Sequence, residues 1–352
     1  MIPHAQSAMS IIPTTFNERL PSYTVVGGRE RLGSAGLSAV VLNRGRRYAR
    51  RNMFEDMKKT GFDFVISVEP PPAQYDLEEL AAQFPFVRFV LLAENISLGE
   101  QINLAVSEVD TPMFFVLWND LRFVAGGGAH RMVERLSYPT VKWDKSEGKN
   151  SIRRLCTVPV IQSPRFETLP TLRVPVLPRK KEHTRGLNPS QEGLRSLYPF
   201  DGVGVYDRER FVRMGGFDGT LKSCYWQLMD FGFRAHLWGE EISATQTLKL
   251  SYEFSPPVED TSAGMDYHRF YLKNLAPVFR KDFAHLPLRR FPRFLFQSKR
   301  GFSLAYEDFS EGRQWVHDNR FRWRCDPRTI AGLWNIGNIE NDLLPLEQET
   351  SA

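Results

Sequence analysis

The chain contains little cysteine. Its 352 residues include three cysteines, Cys156, Cys224 and Cys325, which are scattered and stand in neither a CxxC pair nor a Cys/His spacing. A disulfide framework needs paired cysteines, and a structural zinc site needs ligands at short, regular spacings. The sequence therefore predicts neither.

Long apolar runs are missing as well. No uninterrupted apolar stretch approaches the roughly 18 residues of a membrane-spanning helix, and no basic region followed by an apolar core opens the chain. From these absences we expect a soluble protein in the cytoplasm.

Neither sign of charge is in large excess. The chain has 46 basic and 41 acidic residues, a formal net charge of +5, and 42% of its residues are hydrophobic. This is the composition of a globular protein that can bury a core. The small positive balance is compatible with a phosphate-bearing ligand. Because nucleic-acid binders usually concentrate more positive charge on one face, we expect no nucleic-acid partner.

The amino-terminal part alternates short apolar runs with helical patterns. Strands are predicted at residues 37–42, 62–68, 87–92 and 113–118, and helices at residues 48–60, 77–84 and 97–108. A βαβαβαβ order predicts a mainly parallel, Rossmann-like α/β sheet with right-handed crossovers and flanking helices.

The last of these strands stops abruptly on Asn119 and Asp120, after six apolar residues that begin at Met113. A strand buried on both faces delivers its following residues to the carboxyl edge of the sheet, where α/β folds bind ligands. Asp120 could hold a divalent cation or a ribose hydroxyl there. The alternative is an ordinary Asn-Asp turn after the strand.

Residues 137–199 differ in composition from the part before them. Frequent prolines, from Pro159 to Pro199, disfavour long helices and predict extended segments. Residues 179–185 form a basic loop around Lys180. This loop is either a solvated charge run or a lid that grips phosphate.

Further along, two glycines precede Phe217 and Asp218, a pattern that predicts a tight turn with Phe217 in the core and Asp218 facing outward. A helix that starts near Trp226 follows. It carries Asp230 and Arg234 at an i, i+4 spacing, which allows a salt bridge on one helix face.

In their order and spacing these motifs resemble the family 2 glycosyltransferases of the GT-A fold. The resemblance covers residues 37–280. The matching residues are Asn43, Glu69, Asn95-x-x-x-Gly99-x-x-x-Asn103, Trp118-Asn119-Asp120, Gly215-Gly216-Phe217-Asp218, and Asp230-x-x-x-Arg234 followed by Trp238-Gly239.

The resemblance implies site roles at the matching positions. Asn43 and Glu69 lie where the family contacts the base and ribose, and Asp120 matches the last acid of the Asp-x-Asp motif that binds the metal on the donor diphosphate. Donor-binding roles are implied for Asn43, Glu69, Asn95, Asn103, Asn119 and Asp120, and acceptor-binding roles for Asp201, Asp218 and Trp226.

Two departures weaken the implied chemistry. Trp118 stands where the first acid of the Asp-x-Asp motif would be. The site would therefore offer Mg²⁺ or Mn²⁺ one carboxylate, Asp120, instead of two, which halves the negative charge that holds the cation. The family's catalytic Glu-Asp pair becomes Gln227-Leu228, and leucine cannot accept a proton. Asp230 is the nearest candidate for the base, with Asp218 and Asp201 behind it.

The chain divides into three parts on these patterns. Residues 1–35 are a poorly patterned lead, residues 36–280 a GT-A-like domain with a donor half (36–125) and an acceptor half (137–280), and residues 281–352 a basic-aromatic extension. Residues 285–300 either contact an anionic membrane surface or pack against the domain. Residues 320–324 alternate like an edge strand.

The predicted function is an inverting glycosyltransferase. It would move a sugar from a nucleotide-diphosphate sugar to a carbohydrate or lipid-linked acceptor, in cell-surface polysaccharide synthesis and peripherally at the cytoplasmic membrane face. The alternative is a GT-A domain that binds sugar nucleotides or glycans without catalysis. A nucleotidyltransferase ranks last, because residues 43–47 lack the glycine density of a phosphate loop.

Overall fold

A computed structural model of the chain describes residues 21–44, 50–72, 76–125, 128–137, 140–144, 148–152, 154–175 and 184–334. Its strands are β1 (Tyr23–Gly27), β2 (Leu37–Leu42), β3 (Val65–Glu69), β4 (Val87–Leu92), β5 (Met113–Trp118), β6 (Leu121–Ala125), β7 (Thr140–Asp144), β8 (Gly148–Ile152), β9 (Arg154–Gln162), β10 (Leu172–Pro175), β11 (Thr184–Leu187), β12 (Gly204–Asp207), β13 (Glu241–Tyr252), β14 (Val278–Arg280) and β15 (Phe283–His285). Its helices are α1 (Arg50–Thr60), α2 (Leu77–Gln83), α3 (Leu98–Ser107), α4 (Ala129–Ser137), α5 (Arg208–Arg213), α6 (Cys224–Leu237), α7 (Met265–Phe270), α8 (Phe291–Ser298) and α9 (Phe302–Asp318).

Nine of the described strands form one sheet, in the order β1-β4-β3-β2-β5-β12-β9-β13-β6. The strands β4, β3, β2 and β5 run parallel and are joined by α1, α2 and α3, as the alternating pattern predicts. Beyond β5 the sheet continues with β12, which runs antiparallel to β5. The predicted α/β fold class is confirmed.

The strands at the centre of the sheet are apolar because both of their faces are covered. Every residue of β2 is buried, and β5 is buried from Phe114 to Trp118. Helix α3 starts in a capping box, in which the Ser97 side chain accepts from the backbone N–H of Glu100 and the Glu100 side chain accepts from the backbone N–H of Ser97. Strand ends and helix starts therefore follow from local sequence.

The second half of the chain is held to this sheet by an aromatic cluster. The rings of Phe217 and Phe231 stack with centroids 4.3 Å apart, which places the predicted turn against α6. Asn103 on α3 accepts from the backbone N–H of Phe217 at 2.9 Å and donates to its carbonyl oxygen at 2.8 Å. Gly216 has a φ of +65°, and a Cβ there would clash with the Asn103 side chain. Phe217 lies in the core, as predicted.

One local prediction was wrong, and two described elements, β1 and α8, were not predicted. The lead contains an edge strand, because β1 pairs antiparallel with β4. Residues Arg320–Arg322 form a 3-10 turn that buries Trp323, instead of an edge strand. Helix α8 forms despite its proline, since Pro292 lies in the first turn, where a missing N–H costs no hydrogen bond.

Within the described part of the chain, none of the helices combines the length and apolar character that a bilayer crossing requires.

Candidate functional site

The carboxyl ends of β2, β3 and β5 meet at one edge of the sheet. Leu42 pairs with Trp118 in parallel register, so the residues two positions further on, Arg44 and Asp120, come side by side. The backbone N–H of Asn119 continues this pairing by donating to the Leu42 carbonyl at 2.9 Å. The edge therefore collects the polar side chains that follow the three strands.

Asn43 and Glu69 come together at this edge, where the resemblance places the base and ribose of a donor. The Asn43 amide donates to the Val68 carbonyl at 2.8 Å and to Ser67 Oγ at 3.1 Å. Ser67 Oγ in turn donates to Glu69 Oε1 at 2.7 Å. Both side chains are thus held in fixed positions before any ligand enters.

Arg50 is a member of this group that sequence reasoning missed. Its guanidinium donates to Glu69 Oε2 at 2.9 Å and to Asp76 Oδ1 at 2.8 Å. Asp76 stands at the N-cap position of α2, but its side chain makes no capping bond. A signal was available, because an arginine in the first turn of α1 opposes the helix dipole unless an acid lies near it.

Arg44 forms the centre of the next group along the edge. Its Nε and Nη2 atoms donate to both oxygens of Asp120, at 3.0 and 3.1 Å, and its Nη1 donates to Asp201 Oδ2 at 2.6 Å. The guanidinium also lies 4.3 Å from the centroid of the Trp118 ring. Trp118, which the resemblance aligns with an acid of the metal motif, therefore supplies a face for a cation. Below we call Arg44, Trp118, Asp120 and Asp201 the arginine corner.

Asp201 is held in an uncommon backbone conformation within the arginine corner. It lies in the 3-10 turn Phe200–Gly202 with a φ of +56°, and its carbonyl accepts from Trp118 Nε1 at 2.9 Å. The Tyr252 hydroxyl donates to its Oδ2 at 2.9 Å. Burial raises the pKa of Asp201 to about 6, against the opposing effect of Arg44. The carboxyl group is therefore close to its protonation midpoint at mildly acidic pH.

A cleft of about 370 Å³ opens beside the arginine corner. Arg44, Trp118 and Asp201 line one end of it, and Tyr225 and Leu228 contribute apolar wall. Leu228 occupies the position where the resemblance places the catalytic aspartate, so the cleft meets a side chain that cannot accept a proton. An amphipathic cleft of this kind suits a sugar ring, which has apolar faces and polar edges.

Glu259, on the loop after β13, supplies a carboxylate to the same cleft, and no motif in the sequence pointed to it. It accepts from the Tyr198 hydroxyl at 3.0 Å and lies 2.6 Å from Nη2 of Arg173. Burial raises the pKa of Glu259, although Arg173 and Tyr198 act in the opposite direction. Cys224 also lines the cleft, and this residue is exposed.

Asp230, predicted as the catalytic base, lies in a buried ion network, and its catalytic role stays a prediction that these surroundings do not favour. Its carboxylate is fully buried and is bound by Lys273 Nζ at 2.7 Å, Asn274 Nδ2 at 2.7 Å and Arg234 Nε at 3.1 Å. Burial alone would raise the pKa of Asp230, but the charges of Lys273 and Arg234 hold it below its usual value. A base needs access to an acceptor hydroxyl, which this position does not offer.

Asp218 and Trp226 are not placed to bind an acceptor either. Asp218 is buried instead of facing outward, and its Oδ2 accepts from Lys273 at 2.8 Å. Trp226 is buried on α6, where its indole N–H donates to the Ser262 carbonyl at 2.8 Å. Both residues stabilise the core beneath the cleft. Of the three predicted acceptor residues, only Asp201 lines the cleft.

Of the other residues that the motifs single out, Asn103 and Gln227 make structural contacts, and the roles of Asn95 and Lys180 stay predictions. Asn103 bonds to Phe217, as described above, and is buried away from the edge. Gln227, in the place of the family's catalytic glutamate, accepts from the backbone N–H of Gly99 at 2.9 Å and so joins α6 to α3. Asn95 is exposed on the loop before α3, and its donor role stays a prediction. Lys180 and most of its basic loop lie outside the described residues.

The donor set at the arginine corner does not fit a divalent cation. Both Asp120 oxygens accept from Arg44, the Asn119 side-chain oxygen accepts from the Arg44 backbone N–H at 3.2 Å, and Trp118 supplies no ligand. Among the described residues, no group of three or more His, Cys, Asp and Glu side chains is arranged to hold a metal ion. The predicted Mg²⁺ or Mn²⁺ site at Asp120 is therefore not supported by the chemistry of these ligands.

Comparison with known proteins supports the fold. No protein-family model and no curated protein matches the chain. The crystal structure of GalNAc-T7 with UDP, GalNAc and Mn²⁺ aligns with a TM-score of 0.53 and 11% identity, over 94% of this chain and 59% of that one. The chain thus spans about three-fifths of GalNAc-T7.

Two further glycosyltransferase structures align with lower scores. S. aureus TarS in complex with UDP-GlcNAc has a TM-score of 0.41 and 12% identity, over 80% of this chain and 72% of that one. The mannosyltransferase PcManGT from Pyrobaculum calidifontis, in complex with GDP-Man and Mn²⁺, has a TM-score of 0.42 and 10% identity, over 93% and 85%. The GalNAc-T7 alignment shows that the chain has the fold of the GT-A glycosyltransferases.

Proposed function

We propose that the protein is an inverting glycosyltransferase, which moves a hexose from a nucleotide-diphosphate sugar to a carbohydrate or lipid-linked acceptor in cell-surface polysaccharide synthesis. One observation carries the proposal. The ordered Asn43–Glu69 pair and the arginine corner lie on the same carboxyl edge of a GT-A sheet, and Arg44, Trp118 and Asp201 of that corner line the cleft. Such an edge is where open α/β sheets bind ligands.

In this proposal the Asn43–Glu69 pair, Arg44 and the cleft each contact a different part of the donor. Asn43 and Glu69 present fixed polar groups to the base and ribose. Arg44 faces the diphosphate, whose negative charge increases as it leaves. Stabilisation of developing charge by such a contact is usually a large part of the rate enhancement in group transfer. The sugar ring lies in the cleft against Trp118.

Glu259 then acts as the base in place of Asp230. In the proposed step the acceptor hydroxyl oxygen attacks the anomeric carbon from the face opposite the diphosphate. A new C–O bond forms, the C–O bond to phosphate breaks, and Glu259 accepts the hydroxyl proton. A single displacement of this kind inverts the configuration at the anomeric carbon.

A donor screen tests the proposal. UDP-sugars are the first donors to offer, because the GalNAc-T7 structure contains UDP. We expect binding by calorimetry and release of nucleoside diphosphate on turnover, and we expect Asp120→Ala to lower turnover about 100-fold or more by freeing Arg44. Asp56→Asn, on the outer face of α1, is a matched control that should keep full turnover.

Each contrary result has a separate meaning. Full turnover by Asp120→Ala would remove Asp120 from the site. Absence of binding for every nucleoside-diphosphate sugar would end the glycosyltransferase proposal. Binding without consumption would favour the second candidate, a non-catalytic sugar-nucleotide or glycan-binding domain, for which Leu228 at the expected base position is the supporting observation.

We further propose that the α8 region rests on an anionic membrane surface. Leu288 and Phe296 are 57% and 86% exposed, and the arginines Arg289 and Arg293 are exposed between them. Residues 285–300 contain no acidic side chain. Apolar side chains that enter the interface beside cations that meet lipid phosphates are the usual combination for peripheral binding.

Vesicle sedimentation tests this surface. The protein should pellet with phosphatidylglycerol vesicles and stay in solution with phosphatidylcholine vesicles. Phe296→Ser should weaken the binding about tenfold, since it removes a whole aromatic side chain from the interface. Phe166→Ser, which changes a 63% exposed phenylalanine in the loop after β9, is the matched control. Equal binding of all three proteins would refute the assignment to α8.

A further inference from the structure

We infer that Arg44 is the resident cation of the arginine corner: its guanidinium fills the position between Asp120 and Asp201 that a divalent metal would take. The chain then binds a nucleoside diphosphate without Mn²⁺ or Mg²⁺. The inference rests on the proposed function only for the identity of the ligand. The exclusion of metal by Arg44 rests on the contacts alone.

Arg44 already binds both oxygens of Asp120, so a metal ion there would compete with the guanidinium. A cation would have to approach a carboxylate oxygen to about 2.0–2.6 Å. Both Asp120 oxygens already accept guanidinium N–H groups in a bidentate pair, at 3.0 and 3.1 Å. The side-by-side geometry is the most favourable one for an arginine and a carboxylate. An added divalent ion would also be repelled by the guanidinium charge.

Trp118 explains why the arginine is preferred at this position. A tryptophan face attracts a delocalised, weakly hydrated guanidinium and offers nothing to a hard metal ion. The Arg44 guanidinium lies 4.3 Å from the Trp118 centroid and 5.6 Å from that of Tyr252. The substitution that removes one acid from the metal motif thus adds a surface that holds the replacement cation.

Arg44 keeps donors for a ligand while it binds the two acids. A guanidinium has five N–H groups, and the contacts to Asp120 and Asp201 use one each on Nε, Nη1 and Nη2. One N–H therefore remains on each terminal nitrogen. The side chain is 24% exposed and lines the cleft. An anion that enters the cleft also favours the protonated form of Asp201, whose pKa burial has already raised to about 6.

Manganese binding to the free protein, followed by electron paramagnetic resonance, tests the metal half of the inference without any nucleotide. Wild-type protein should show no site that depends on Asp120. Arg44→Gln should create one, because it leaves two carboxylates without their cation, with an affinity gain of about tenfold or more over wild type. The gain should be absent in Arg44→Gln combined with Asp120→Asn. Arg44→Lys, which keeps the positive charge, should still exclude the metal.

Wild-type protein that binds Mn²⁺ as tightly as Arg44→Gln, and loses that binding in Asp120→Asn, would overturn the inference. A folded Arg44→Gln protein that gains no Mn²⁺ site would overturn the claim that Arg44 stands in a metal position.

UDP binding, measured by calorimetry, tests the ligand half. Wild-type affinity should be the same with excess EDTA and with millimolar Mn²⁺. Arg44→Gln should lose about tenfold in EDTA and recover part of that loss with Mn²⁺. A loss of about tenfold by wild type in EDTA would overturn metal-independent binding. If UDP does not bind under any condition, the proposed function fails, while the Mn²⁺ measurements still decide the role of Arg44.

Discussion

Replacing Lys273 with methionine should lower the free energy of unfolding by about 3–5 kcal/mol, the usual cost of removing one partner from a buried ion pair. Lys273 Nζ lies 2.8 Å from Asp218 Oδ2 and 2.7 Å from Asp230 Oδ1, and all three side chains are buried. Without it, Asp218 would lose its buried cation and retain the hydrogen bonds from Thr220, and Asp230 would depend on Arg234 and Asn274. Urea unfolding at neutral pH measures the loss.

Lys222→Met provides the control for this experiment. Lys222 also contacts an acid, Glu100, at 3.3 Å, but its side chain is 70% exposed. Exposed pairs contribute about 0–1 kcal/mol, so this variant should unfold almost like wild type. Equal effects of the two substitutions would contradict the buried network around Asp230.

The same network gives a direct check on the role of Asp230. If its carboxylate is structural, Asp230→Asn should lower stability and leave transfer per folded molecule close to wild type. A folded Asp230→Asn protein with transfer reduced about 100-fold or more would restore Asp230 as the base.

Local patterns predicted the donor side of the sheet well. The apolar runs of β2 and β4 have the predicted ends, because strands inside the sheet are covered on both faces and are therefore mainly apolar. The same reasoning placed Asp120 at the carboxyl edge. Arg44 could also have been found, since parallel strands that end at Leu42 and Trp118 bring it beside Asp120.

The acceptor side could not be predicted in the same way, because its contacts join distant segments. Arg44 and Asp201 are separated by 157 positions, and Asp230 meets Asn274 from 44 positions away. The i, i+4 spacing of Asp230 and Arg234 predicts a salt bridge equally well on a surface or in a core. Only the fold shows that Lys273 completes a buried network there.

Glu259→Gln is expected to lower sugar transfer by about 100- to 10,000-fold, the range for a lost general base. The amide keeps the size of the side chain and one oxygen, which can accept from either Tyr198 or Arg173, but it cannot accept the acceptor proton. Donor binding should change little, because in the proposed step Glu259 contacts the acceptor hydroxyl and not the donor. Calorimetry with the donor and turnover assays with the acceptor separate the two effects.

Asp260→Asn is the matched control, since Asp260 is the next residue and lines the same cleft. Its Oδ1 accepts from the backbone N–H of Ser262 at 3.0 Å, and hydrogen bonds from Ser262 lower the pKa of Asp260. A carboxylate with a lowered pKa is the weaker base of the pair. We expect Asp260→Asn to keep most of the transfer rate, and a large loss in this variant alone would move the base to Asp260.

The pH dependence of the transfer rate distinguishes a catalytic Glu259 from a structural one. A general base works in its ionised form, so transfer should fall as the pH drops through the pKa of Glu259. Because burial raises that pKa, the fall should begin at a higher pH than an ordinary glutamate would give. In Glu259→Gln this acidic limb should disappear from the residual rate. A limb that persists unchanged in the variant would assign the titration, and with it the proton transfer, to another group of the cleft.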